Sequence, residues 1–199
     1  MKVYTVVITG ASGSVYGLRL VEQLLLSGGA VTVIATDSGA EVMAFETGFS
    51  MPGPDEEERL LRFLEIDSDV AHLRIARDND IFDAIASGSR RVDGMVVVPA
   101  SMGYCGALAG GLGATLSQRA ADVQLKERRP LIVVPRETPL SLIHLRNLTS
   151  VAEAGAIIVP AMPGFYTKPE SIDDLVGFVV GKVLDVLDVD HDLFKRWGE

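Results

Sequence analysis

The stretch Val3-Tyr4-Thr5-Val6-Val7-Ile8-Thr9-Gly10-Ala11-Ser12-Gly13-Ser14 decides the fold. A β-branched apolar run stops at Thr9-Gly10 with no polar alternation inside it, the pattern of a strand buried on both faces. Residues 13–27 then carry Leu18, Val21, Leu24 and Leu25 at helical spacing, with Gly28-Gly29 as the stop. The chain therefore opens as strand, glycine turn, helix.

The same grammar repeats outward from this unit. Residues 31–35, 94–99, 131–134 and 156–159 read as further buried strands. Residues 40–45, 108–128 and 141–153 read as helices, the second breaking into two pieces around Gly110-Gly111 and Gly113. Ser171 with Asp174 three residues on is a capping-box pattern that opens a last long helix. Residues 50–80 are the least regular stretch: Pro52-Gly53-Pro54 breaks the chain, and the acidic run from Asp55 to Glu58 reads as a solvated loop and helix start. Alternating strands and helices predict an α/β fold, a single doubly wound, mostly parallel sheet with helices on both faces. No internal repeat or linker divides the chain, so residues 1–199 are expected to form one domain, with residues 171–199 as a C-terminal helix and tail.

Composition narrows the function. Hydrophobic residues make up 48% of the 199, enough for a sizeable core, and aromatics only 6%, so that core is aliphatic. A formal charge of −9 argues against a general role on nucleic acid or an anionic membrane. The N-terminal apolar run is too short for a signal peptide, and no run reaches a membrane span. One cysteine suits a reducing compartment, so a cytoplasmic location is expected. Three scattered histidines and Cys105 offer no metal cluster.

Ligands of doubly wound sheets bind beyond the carboxyl ends of the strands, and the candidate residues cluster there. Gly10-Ala11-Ser12-Gly13-Ser14 can bring backbone and a helix N-terminus to an anion; it is neither a dinucleotide fingerprint nor a P-loop, and a capped glycine turn is the plainer alternative. Pro99-Ala100-Ser101-Met102-Gly103-Tyr104 can pack a cofactor ring or be an ordinary loop. Arg119 and Lys126 share a helix face. Arg136 ends a strand beside Glu137, a pair able to bind an anion and move a proton, whereas Arg128 and Arg129 read as a solvated face. Lys182 lies in a seam with Leu175, Val179 and Val186, and either snorkels to water or meets a bound phosphate. Tyr166, in the stiff segment Pro160-Ala161-Met162-Pro163-Gly164-Phe165-Tyr166, can bond a ligand or simply pack. Cys105 reads as a small buried hydrophobe, and His144 as structural.

Taken together, Gly10-Ala11-Ser12-Gly13, Ser87-Gly88-Ser89, the run from Arg119 to Val123, Leu125 to Leu131, Arg136 to Leu140 and Leu193-Phe194-Lys195-Arg196-Trp197 resemble the UbiX family of flavin prenyltransferases over almost the whole chain. The resemblance implies a flavodoxin-like three-layer sandwich. It implies a metal-independent enzyme that moves a dimethylallyl group from its monophosphate to N5 and C6 of reduced FMN, giving prenylated FMN for a UbiD-type decarboxylase. It implies a homo-oligomer, a dodecamer by the family's habit, with sites between subunits. It assigns FMN to Gly10, Ala11, Ser12, Thr36, Ser101, Met102, Tyr104 and Arg119. It assigns the donor phosphate to Ser87, Lys126, Arg136, Tyr166 and Lys182, and site closure to Trp197. Glu137 would be the acid/base near the departing phosphate, and Ser12 would assist proton movement at the flavin. The chain departs from the family pattern at Tyr104 for Thr, Cys105 for Leu, Thr36 for Ser and Lys182 for Arg; Tyr104 would add bulk beside the flavin. The rival readings are a flavin-dependent cysteine decarboxylase, a non-catalytic flavin carrier or accessory subunit, and a flavodoxin-like electron carrier.

Overall fold

The computed structural model describes residues 1–68 and 71–198. Among the described residues, six parallel strands form one sheet: β1 (Val3–Ile8), β2 (Ala30–Ala35), β3 (His72–Ile75), β4 (Gly94–Ala100), β5 (Leu131–Pro135) and β6 (Ile157–Ile158), in the order β3-β2-β1-β4-β5-β6. Counted over the five strands that the sequence predicts, this is the flavodoxin-like order. The sixth, β3, pairs in parallel with β2 at the sheet edge and lies in the stretch 50–80 that the sequence leaves irregular. Residues 69 and 70 of that stretch, and residue 199 of the tail, lie outside the described residues.

Among the described residues the α-helices are α1 (Ser14–Leu26), α2 (Asp37–Thr47), α3 (Glu56–Phe63), α4 (Met102–Ala109), α5 (Leu116–Lys126), α6 (Leu142–Glu153) and α7 (Ile172–Val186). The predicted break near Gly110 is the gap between α4 and α5, although α4 starts six residues earlier than its apolar pattern suggests. The strands sort their side chains by period two between two cores. Tyr4, Val6 and Ile8 join Val96, Val98, Ile132 and Val134 beneath α1 and α7. Val7 joins Met95, Val97, Leu131 and Val133 beneath α4 and α5. Helices therefore cover both faces, giving three layers.

The acidic run at 55–58 does start a helix, but it is not all solvated. Glu56 is 5% exposed and takes both Arg77 nitrogens, at 2.6 Å and 3.0 Å. The arginine pins α3 to the segment following β3, which a free acidic turn would not do.

Hydrogen bonds stitch the carboxyl ends of neighbouring strands into one rim. Thr36 donates its N–H to the Ile8 carbonyl at 3.0 Å, Arg136 to Ala100 at 3.2 Å and Ala161 to Pro135 at 3.1 Å. Between β1 and β4, the Thr9 hydroxyl donates to the Pro99 carbonyl at 2.7 Å and accepts from the Ser101 N–H at 2.8 Å. The strand order reverses at this β1/β4 junction, so the rim there is the crevice where such folds bind ligands.

Candidate active site

Four loops converge on the β1/β4 crevice because the rim fixes their take-off points. After β1 come Gly10, buried Ala11 and exposed Ser12. Gly10 is required by packing: a Cβ there would lie 2.4 Å from the Ser38 hydroxyl. After β2, Thr36 caps α2, its hydroxyl accepting from the Gly39 N–H at 3.1 Å and lying 3.4 Å from the Ser38 hydroxyl. After β4, Ser101 caps α4 through the Tyr104 N–H, and Met102 tucks beneath it, buried. After β5, Arg136 donates from Nε to the Ser12 carbonyl at 3.0 Å, and this is its one side-chain hydrogen bond among the described residues. Glu137 follows, exposed, its carboxylate accepting the Thr138 N–H.

The start of α1 already holds an anion. Glu46, near the end of α2, accepts the Gly13 N–H at 3.0 Å and the Ser14 N–H at 2.9 Å. Partial burial pushes the Glu46 carboxyl up, but hydrogen bonds from the Ser12 side chain and the Ser14 and Gly13 N–H groups outweigh it and hold the group below its ordinary value of 4.5. An external phosphate at this helix start would have to displace that carboxylate. The hydroxyls of Thr36, Ser38 and Ser101 remain on the rim, whereas half-exposed Arg119 on α5 is paired with Asp122 at 2.6 Å. This donor set, polar at one end and lined by Ala11 and Met102, fits a phosphate-bearing flavin. Glu46 escapes the sequence reading because the pattern stops that helix at residue 45, whereas the positive-φ cap is Gly48; the glycine was the available stop signal.

The lowered pKa of Glu46 carries a pH signature. Its stabilisation is complete above 4.5 and is lost as pH falls through the depressed value. In urea melts, wild type is expected to be more stable than Glu46→Gln at neutral pH, with the difference shrinking as the pH falls below 4.5 and through the depressed value.

The other predicted residues lie elsewhere. Ser87 and Lys126 belong to the opposite rim: Gln124, two residues before Lys126, donates to the Pro130 carbonyl at the start of β5. Strand β4 has seven residues, so at about 3.3 Å per residue roughly 20 Å separates the two rims. The chain therefore does not bring Lys126 and Ser87 to its own Arg136. On that far rim, a Cβ at Gly88 would sit 2.9 Å from the Lys126 ammonium and 2.4 Å from a Glu127 carboxylate oxygen. Arg129, expected to be solvated, instead donates to the Gly88 and Arg90 carbonyls at 2.8 Å and 2.9 Å. It holds the Ser87-Gly88-Ser89 loop against α5.

Lys182 is not unpartnered. Its ammonium lies 2.8 Å from Asp185, three residues on along α7. Tyr166 stacks edge-on with Trp197 at 5.1 Å and with Phe178 at 5.7 Å. The Tyr104 ring, expected beside the flavin, is 6% exposed inside the second core cluster. Burial pushes its phenol far up, against the opposing effect of the Ser117 hydroxyl. Its bulk is absorbed by the core between α4 and α5. Cys105 is fully buried, with burial raising its thiol to about 12, as suits an inert packing residue. His144 completes the capping box of α6. A cleft of about 480 Å³, lined by Leu18, Arg19, Phe63 and Ile66 among others, lies between helices.

A family model described as Flavoprotein matches residues 2–184. A flavin prenyltransferase UbiX from Halalkalibacterium halodurans is 44% identical over 199 residues, covering 99% of this chain and 94% of that one. The crystal structure of AnUbiX (PadA1) in complex with FMN and dimethylallyl pyrophosphate superposes with a TM-score of 0.86 at 36% identity, covering 100% of this chain and 98% of that one. A dodecameric FMN-dependent UbiX-like decarboxylase from Escherichia coli O157:H7 gives 0.86 at 34% identity, covering 100% of both chains.

Proposed function

The chain belongs to the flavoprotein family and, within it, to the flavin prenyltransferases of the UbiX type, and from this premise we propose that it joins a dimethylallyl group from dimethylallyl monophosphate to reduced FMN. The new bonds form at flavin N5 and C6 as the allylic C–O bond breaks and phosphate leaves; of the two protons lost, from N5 and C6, one is taken up at the prenyl double bond as the ring closes and the other by the departing phosphate. The product is prenylated FMN, for use by a UbiD-type decarboxylase in the cytoplasm.

The observation that carries this reading is the Arg136–Ser12 bond at 3.0 Å. It couples the loop expected to face the flavin with a cation at the strand end, so acceptor and leaving group are held by one unit. Cleaving an allyl–phosphate bond builds negative charge on the phosphate, and a fixed guanidinium stabilises it without reorganisation. Glu137, adjoining that cation, holds or delivers the proton at the departing phosphate. Ser12 and Glu46 form a hydroxyl–carboxylate pair suited to carry away the proton lost from the flavin. Gly10, Ala11, Thr36, Ser101, Met102 and Arg119 hold FMN, whose reduced ring supplies the nucleophile and a π face for allylic cation character. Tyr104 acts behind α4, from the core. Tyr166 and Trp197 keep water from the cation.

Ser87 and Lys126 reach a donor phosphate from a neighbouring copy, in a homo-oligomer of which the dodecameric relative is the pattern. Lys126→Ala and Arg136→Ala are each expected to be nearly inactive. Co-assembled in equal amounts, they should recover about a quarter of wild-type activity, since random mixing leaves that fraction of two-subunit sites intact. No recovery in verified mixed oligomers would contradict a shared site. The function itself is tested by phosphate release under anaerobic conditions. Release that needs both reduced FMN and dimethylallyl monophosphate supports it; bound FMN without release favours the carrier reading.

A further inference from the structure

Helix α7 carries Gly177 and Gly181 one turn apart, on one face. A Cβ at Gly181 would lie 2.5 Å from the Phe194 ring and 2.7 Å from the His191 ring, and one at Gly177 would lie 3.2 Å from the Leu193 carbonyl oxygen. The C-terminal tail therefore packs directly on helix backbone. One turn beyond Gly181, Asp185 accepts from Lys182 at 2.8 Å, His191 Nε2 at 3.1 Å and Arg196 at 3.1 Å. The His191 side chain is 1% exposed, and its Nδ1 accepts the Leu193 N–H at 3.2 Å. That bond places the ring proton on Nε2, directed at Asp185. The same carboxylate thus gathers a helix lysine and two tail residues.

From this hub an aromatic row runs to Tyr166 and back to Trp197 in the tail. Phe194 lies 5.1 Å from Phe178, Phe178 lies 5.7 Å from Tyr166, and Tyr166 lies 5.1 Å from Trp197. The Lys182 ammonium and the Arg196 guanidinium both sit 5.9 Å from the Phe194 ring centre. We propose that Asp185 is a positioning residue for prenyl transfer: it straps the tail to α7, sets Trp197 against Tyr166, and fixes Lys182 and Arg196 as a cation pair at the donor end. The inference rests on the reading of Tyr166 and Lys182 as donor-site residues. It adds Asp185 as the anchor and Arg196 as the second cation.

Trp197 is the single tryptophan of the chain; although 81% exposed, its ring is held 5.1 Å from Tyr166, so its fluorescence anisotropy reports the strap without any substrate. Asp185→Asn is expected to lower the Trp197 anisotropy about twofold, as a freed tail moves faster than the body of the protein. It should also raise KM for dimethylallyl monophosphate about tenfold, with kcat and the affinity for reduced FMN within about twofold of wild type. Asp185→Glu, which keeps the charge, should restore most of both effects. Should Asp185→Asn fail to fold, Arg196→Ala, on a half-exposed side chain, must give the same fall in anisotropy and the same rise in KM. Unchanged anisotropy in a folded variant overturns the proposal, as does a fall in anisotropy with unchanged donor KM. If wild type releases no phosphate at all, the donor-site reading is what fails, and the anisotropy of Asp185→Asn alone decides whether the strap is anchored here.

Discussion

Arg136→Ala is expected to lower kcat/KM for the prenyl donor by about 10²–10³-fold, with a much smaller loss of flavin affinity. Two consequences of the substitution add. The first is electrostatic: the guanidinium is fixed at the strand-end rim before the reaction begins, so it meets developing phosphate charge at no reorganisation cost. The second is geometric: its Nε–H to the Ser12 carbonyl is the tether between the loops after β5 and β1, and the next residue, Gly13, donates its N–H to Glu46 at 3.0 Å. Arg136→Lys should recover only part of the loss, since an ammonium restores charge but cannot both tether Ser12 and present a fork to phosphate. The check is steady-state phosphate release against donor concentration, with flavin affinity measured separately. A tenfold or smaller loss in Arg136→Ala would show that the leaving group is held elsewhere.

Gly17→Ala is expected to cost about 3 kcal/mol of stability. The position is inside α1, where alanine ordinarily favours a helix over glycine by about 1 kcal/mol. Here, however, a Cβ would lie 2.6 Å from the Val98 carbonyl oxygen and 2.9 Å from the Ile8 side chain. The first is backbone of a central strand and cannot rotate away, so α1 must lift from β4. Because α1 also presents the Gly13 and Ser14 N–H groups to Glu46, the crevice should be disturbed with it. Gly103→Ala on exposed α4 is the contrast: nothing lies within 4 Å of its added Cβ, so stability should hold or rise slightly. Thermal melts of the two variants give the comparison, and equal midpoints would contradict the packing argument.

The parts of the fold that could be read from sequence are those where burial dictates residue type. Strands β1, β4 and β5 are apolar on both faces because cores lie above and below them, and they announce themselves as continuous β-branched runs. Strand β3 does not, since His72-Leu73-Arg74-Ile75 lies at the sheet edge with alternate residues exposed. The rim residues Ser12, Ser101 and Arg136 could be named because parallel sheets put ligands beyond strand ends; Thr36 is legible only through the family resemblance. Lys126 and Ser87 have the right chemistry on the opposite rim; residue type carries no record of which end of α5 faces which edge, although a helix returning to the next parallel strand must finish there. Arg129 and Lys182 read as solvated or unpartnered because their partners, the backbone carbonyls of residues 88 and 90 and the Asp185 carboxylate, are set by tertiary packing and side-chain rotamer. Tyr104 was placed beside the flavin by its position in a motif, while its side chain follows the helix into the core.

The most direct test of the account is the mass of the flavin that the enzyme leaves behind. Purified protein is incubated anaerobically with reduced FMN and dimethylallyl monophosphate, denatured, and the released flavin is weighed by mass spectrometry beside a Glu137→Gln control. The account predicts a flavin heavier by one five-carbon prenyl unit from wild type and little or none from the variant. Unmodified FMN from a flavin-loaded wild-type enzyme, with this donor and with the diphosphate, would contradict it.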